Sequence, residues 1–164
     1  MQRLAGAHFL RQEYSEAEMW FERAASLGDI TALNNLGGML VERDPERAEQ
    51  YLRKAAAAGE SLAMHNLGFI LADRREDEAM TWYLKAAQRG YAPSMYNLAM
   101  MLRPGRPTEA RRWFLIAARE DDARSMLELA RMLEDSDPTA AEYWIRRAAE
   151  AEHSGAAAAS TSDG

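Results

Sequence analysis

An alanine pair returns at a constant interval of 31 residues: Ala24-Ala25, Ala55-Ala56, Ala86-Ala87, Ala117-Ala118 and Ala148-Ala149. Four residues before each pair stands a large aromatic, Trp20, Tyr51, Trp82, Trp113 or Trp144, and the next residue is again apolar: Phe21, Leu52, Tyr83, Phe114 or Ile145. Seven residues before each pair is a further alanine, from Ala17 to Ala141. After the pairs come Leu36, Leu67, Leu98 and Leu129, each followed by glycine or alanine, and then Leu40, Leu71, Leu102 and Leu133. One register held over five copies without insertion means an array of identical small units rather than a single globule.

Each unit reads as two helices. Ala48, Tyr51, Leu52, Ala55 and Ala56 share one helical face, as do Leu62, Ala63, Asn66, Leu67, Ile70 and Leu71. Gly28, Gly59 and Gly90 follow the alanine-pair helix, where a left-handed cap favours glycine. Asp44-Pro45 and Asp137-Pro138 read as an N-cap with proline at the first helical position, and Pro107 occupies the same register without an acidic cap. The spacing predicts first helices near 2–12, 30–42, 61–73, 92–103 and 123–134, and second helices near 15–27, 45–58, 76–89, 107–119 and 138–151. Connections this short force neighbours antiparallel. No pair can bury both sides of its apolar face alone, so the expected fold is all-α, a solenoid of about five stacked helix pairs. The small residues should allow close helix approach, with the aromatic filling the wider gap one turn away.

Composition removes most other function classes. There is no cysteine, hence neither a disulfide scaffold nor a thiolate zinc site. Twenty basic against 26 acidic residues leave a formal charge of −6, the wrong sign for a general binder of nucleic acid or anionic membrane. The opening residues Met1-Gln2-Arg3-Leu4 lack a signal-peptide core, and no run is apolar enough to span a bilayer, so a cytoplasmic protein is expected. No G-x-S-x-G elbow, P-loop or H-E-x-x-H occurs, and His8, His65 and His153 are scattered. The expectation is a non-enzymatic chain with no metal or cofactor site.

The run from Tyr51 through Ala55-Ala56, Gly59, Ala63 and Leu67-Gly68 resembles the Sel-one-like repeat (SLR), a relative of the tetratricopeptide repeat (TPR), and Trp20 to Gly37 matches as well. The third and fourth copies drift, with Ala99 and Ala130 for the second glycine and Asp121 for the first. The units are shorter than is usual for that family, with a clipped loop, and lack the cysteines of its disulfide-bridged secreted members. The resemblance implies a right-handed superhelix of helix pairs acting as an adaptor or scaffold for other proteins. The repeat domain is expected over residues 1–153, with 154–164 as a flexible Ala/Ser-rich tail.

In solenoids of this type the first helix of each pair lines the concave side. Counting from the leucine of each unit selects Asn34, Gly38 and Val41; His65, Phe69 and Ala72; Tyr96, Met100 and Arg103; and Leu127, Arg131 and Glu134. These positions vary while the structural ones repeat, as a binding surface requires. Phe69, Tyr96 and Met100 form a candidate apolar anchor, and Arg103, Arg124 and Arg131 bring positive charge near it. A protein or peptide carrying apolar and acidic residues would suit that surface. The same side chains could instead pack between neighbouring repeats. Asn35, Asn66 and Asn97 recur one place before the leucine, as a peptide clamp or, with more weight, as satisfiers of the solenoid's own polar groups; Glu128 breaks the column. Arg53-Lys54, Arg74-Arg75, Arg111-Arg112 and Arg146-Arg147 read as solvated charge on the outer face of the second helices. Apolar residues at both ends (Leu4, Phe9 and Leu10; Trp144 and Ile145) suggest end-to-end association with a second copy or a partner domain, so the alternative function is a self-stacking structural solenoid.

Overall fold

A computed structural model describes residues 14–161, with side chains described from Ser15 to Ser154. The helix expected near 2–12, with Leu4, His8, Phe9 and Leu10, lies outside these residues. The described helices are α1 (Tyr14–Ser26), α2 (Ile30–Leu40), α3 (Pro45–Ala57), α4 (Ser61–Leu71), α5 (Glu76–Gln88), α6 (Ala92–Leu102), α7 (Pro107–Arg119), α8 (Ala123–Leu133) and α9 (Pro138–Thr161). First helices of 11 residues alternate with second helices of 13, apart from α9 with 24. Two compact units divide the chain, residues 1–89 and 90–164. In the first, α1 to α5 pack each on the next, and α2 also meets α4; in the second, α6 to α9 pack in sequence.

The punctuation sits where the residues require it. Gly28, Gly59 and Gly90 adopt φ of 88°, 95° and 85°, and Asp121 stands in the fourth turn at φ 57°, a conformation that aspartate tolerates better than most side chains. Asp29, Asp44, Asp122 and Asp137 each accept a backbone N–H in the first turn of α2, α3, α8 and α9. Glu60 holds the corresponding position before α4 but makes no capping bond, being one methylene too long, and its Oε2 is buried without a hydrogen-bond partner. Burial there pushes its carboxyl above the usual range. Glu60→Asp should supply the missing cap and raise stability by about 0.5–1.5 kcal/mol in chemical denaturation.

The repeated small and aliphatic residues form the core. Ala48, Ala79 and Ala110, Leu36, Leu67 and Leu98, and the first alanine of every pair are buried. The conspicuous aromatics are not the deepest residues: Trp20, Tyr51, Trp82, Trp113 and Trp144 are half-buried, whereas Phe21, Leu52, Tyr83 and Phe114, one residue later, are fully enclosed. Two of the larger rings have a cation beside them: Lys85 Nζ lies 4.0 Å from the Trp82 ring centre and Lys54 Nζ 5.8 Å from that of Tyr51.

The residues expected as a tail from 154 continue α9 as helix to Thr161. The earlier second helices turn at Gly28, Gly59, Gly90 or Asp121; the equivalent place in α9 is Glu152, which favours continued helix, and the alanines at 156–159 are the strongest helix formers available. No helix among the described residues is long and apolar enough to cross a membrane.

Arg53, Arg75 and Arg147, expected as solvated charge, are partly exposed and also make ion pairs between successive repeats, as does Arg47. Arg47 bonds Glu18 and Glu22 of α1 at 2.9 and 2.8 Å; Arg53 of α3 bonds Glu78 of α5 at 2.6 Å, and Arg75 bonds Glu49. In the second unit Arg147 bonds Asp121 at 3.0 Å. Partial burial raises Glu49, but hydrogen bonds from Arg75 and Arg53 outweigh it and hold the carboxyl below its usual range. Glu78 is lowered chiefly by the hydrogen bond from Arg53. Carboxylates depressed in the folded chain contribute stability that is complete above their unfolded pKa and is lost as pH falls through the folded value. The melting temperature should therefore drop as pH falls below the ordinary carboxylate range, and Glu49→Gln should flatten that slope. Salt should weaken the same ladder at neutral pH.

Candidate functional site

The expected groove residues fall on the first helices, but they do three different kinds of work. In the first unit Asn34, expected in the groove wall, is buried at 4% exposure. Its Oδ1 accepts from Asn66 Nδ2 at 2.9 Å, so two successive repeats satisfy each other's amides. Thus Asn66 acts structurally, and through Asn34 rather than through its column neighbour Asn35. His65 is half-buried with its ring centre 5.6 Å from that of Tyr83.

Phe69 is different. It is 66% exposed on α4, at the position two residues after Leu67 that Gly38 occupies on α2. Because Gly38 offers no side chain, the surface beside Phe69 is hollow. One depression of about 250 Å³ is lined by Val41, Pro45, Ala48, Phe69, Ile70 and Ala72 with Asp73 and Arg74. A second of about 440 Å³ runs past Gly38, Met39, Asn66, Phe69 and Ile70 with Glu42 and Arg43. Val41, Phe69 and Ile70 line both; Val41 was expected in the groove, and Ile70 was read only as part of the apolar face of α4.

In the second unit Tyr96 is half-buried, with its ring centre 5.9 Å from Phe114. The Arg124 guanidinium lies 4.6 Å from the Tyr96 ring centre and bonds Asp122 Oδ1 at 3.1 Å, so it is held as a flat, oriented cation. Met100 and Leu127 are half-buried beside exposed Arg103 and Arg131. Both of those arginines bond Glu128, each at 2.6 Å. Glu128 is only 5% exposed, and as a carboxylate without these partners it would be costly to bury. Its departure from the asparagine column is therefore a change of partner: an acid that takes an arginine from the preceding pair and another one turn along its own helix. Spacing offered the signal, since Glu128 and Arg131 are three apart on a helix, but Arg103 is remote in sequence. All three expected positive charges are thereby paired, Arg103 and Arg131 with Glu128 and Arg124 with Asp122, leaving an excess of one in that group. Phe69 belongs to the first unit, and Tyr96 and Met100 to the second.

Among the described residues no group of histidine and carboxylate side chains could hold a metal ion.

The Sel1 repeat profile matches residues 4–29, 32–60, 61–91, 92–122 and 123–153. No curated protein sequence matches the chain. Among solved structures, c5321, a protective antigen present in uropathogenic Escherichia coli strains and displaying an SLR fold, is similar at a TM-score of 0.80 and 22% identity over 91% of this chain and 37% of that one. A Sel1 repeat protein from Oxalobacter formigenes gives 0.79 at 22% identity, over 91% and 71%. MamA gives 0.68 at 17% identity, over 93% and 96%. The chain thus spans little more than a third of c5321, and these likenesses carry the fold alone. The fold is an all-α solenoid of helix pairs, and with five copies matched in series the chain belongs to the Sel1 repeat family, a family of repeat scaffolds that generally mediate protein–protein interaction.

Proposed function

We propose that the chain is an adaptor that binds a peptide or protein segment along the varying face of its first helices. The observation that carries this reading is Phe69: a large ring, two-thirds exposed, set between two apolar depressions at a repeat position where its counterpart is glycine. A ring left in water at that position costs hydrophobic free energy that only a partner recovers. Tyr96 with Arg124 supports the second half of the reading, since a cation oriented by stacking is suited to a carboxylate of the partner. At the first unit the expected ligand is an extended or helical segment with a bulky apolar residue, and at the second a segment with acidic residues.

Panning a phage-displayed peptide library on the full chain tests this. Selected peptides should carry one or both of those features, and Phe69→Ala should weaken binding of the apolar ones about thirtyfold or more, as loss of an anchor does, with an unchanged melting temperature. Arg124→Ala should weaken acidic peptides selectively. A Phe69→Ala chain that melts several degrees lower and still binds the selected apolar peptides would assign Phe69 to packing and end the proposal.

A further inference from the structure

Independently of the groove, α9 carries a stacking face that no described residue covers. At the position after the large aromatic, Phe21, Leu52, Tyr83 and Phe114 are 5, 0, 3 and 0% exposed, whereas Ile145 is 53% exposed. One turn further, Ala56, Ala87 and Ala118 are buried and Ala149 is exposed. Because α9 runs straight on through the place where earlier second helices turn back, no described residue lies over Ile145 and Ala149.

Charges flank that stripe in an informative pattern. Glu142 and Arg146, both exposed, occupy the repeat positions of Glu49 and Arg53. In the first unit those two positions are the ones that reach the neighbouring second helix, Glu49 to Arg75 and Arg53 to Glu78. On α9 the acid and the base lie one turn apart on the side that carries Ile145, whereas Trp144 points the other way, onto Ala130, Leu133 and Ala141. A helix with that arrangement is complementary to itself when turned end for end. An axis beside Ile145, midway along the helix between acid and base, sets Glu142 against Arg146 of the partner subunit, and the converse pair forms by symmetry. A parallel arrangement would set like charges together.

We propose that this face is a homodimer interface, in which a second copy of the chain lays its α9 antiparallel on the first about a twofold axis, the commonest symmetry of soluble oligomers. Ile145 stands at its apolar centre with Ala149 beyond the ion pairs, and the two Glu142–Arg146 pairs fix its direction.

Sedimentation equilibrium of the full chain tests this, and a reversible monomer–dimer equilibrium is expected. Ile145→Glu should weaken association about thirtyfold or more with the helical circular dichroism intact, because Ile145 is half in water already. Glu142→Arg and Arg146→Glu should each weaken self-association at least about fivefold, since each sets two like-charge contacts in place of two ion pairs. Mixing those two variants should restore a dimer, because every contact across the axis again joins an acid to a base. A monomer at millimolar concentration would overturn the proposal. So would association that Ile145→Glu leaves unchanged, or failure of the mixed variants to rescue each other, the result expected if α9 met a different end of the second chain.

Discussion

Phe114→Ala is expected to destabilise the chain by about 3–5 kcal/mol in chemical denaturation. Phe114 is completely enclosed in the second unit, with its ring 5.9 Å from Tyr96 and the buried residues Ala99, Leu98 and Ala117 on the same and neighbouring helices. The cost has two parts, the lost transfer of the ring from water and the hollow left where α6 and α7 are held apart by their own backbones. The control is built into the repeat. Ile145 holds the same position in the last copy but is half exposed, so Ile145→Ala in the monomer should cost about 1 kcal/mol or less. Comparable losses at the two sites would mean that burial at this position is not what holds a repeat together.

That contrast marks what a single chain of letters can convey. Among the described residues the order of the helices and most of their ends were legible because each depends on local chemistry: proline and aspartate at the starts, glycine at the left-handed turns, and leucine and alanine at the spacing of a buried face. The position of Phe114 in the core was legible as one apolar place in a column. Its rank above Trp113 was not. A large ring in a repeating column looks like the deepest residue, yet a second helix buries most fully the side chain aimed at the glycine or alanine of its partner, and the tryptophans lie at the rim. The site shows the same limit. Phe69 stood out because its neighbours in the column are unlike it. Asn34 looked equally variable and proved to be half of an amide pair with Asn66, a fact that depends on where two helices place their side chains. Glu128 looked like a defect in the asparagine column; only the arrival of Arg103 from the preceding pair gives it a role. Apolar rings and charges announce themselves by type, whereas hydrogen-bond partners distant in sequence are a property of the assembled fold. Beyond 153, alanine and serine suggest a loose tail by composition, while alanine also propagates a helix already nucleated by packing, and α9 continues to Thr161.

Gly37→Ala should cost about 1–3 kcal/mol even though the new side chain is one methyl group. A Cβ at Gly37 would lie 2.6 Å from Leu52 Cδ2 and 3.3 Å from the carbonyl oxygen of Ala48. Leu52 is wholly buried and cannot swing aside, and Ala48 is backbone, so α2 and α3 must separate along the seam and loosen the contacts around Leu36 and Leu40. Alanine is the better helix former by about 1 kcal/mol, so a net loss would show that close approach, not propensity, decides this position. The second unit already contains the experiment in part: Ala99 stands at the equivalent place and is fully buried, which means its pair of helices has settled around one more methyl group. The decisive measurement is a double-mutant cycle. Leu52→Ala alone should cost about 2–5 kcal/mol by opening a cavity. If Gly37 is required because of Leu52, adding Gly37→Ala to that variant should cost nothing further or recover part of the loss, giving a coupling of about 0.5–3 kcal/mol. Additive losses would place the need for glycine in the backbone at Ala48 instead, and the seam would then be set by the main chains of α2 and α3 rather than by the side chain that fills it.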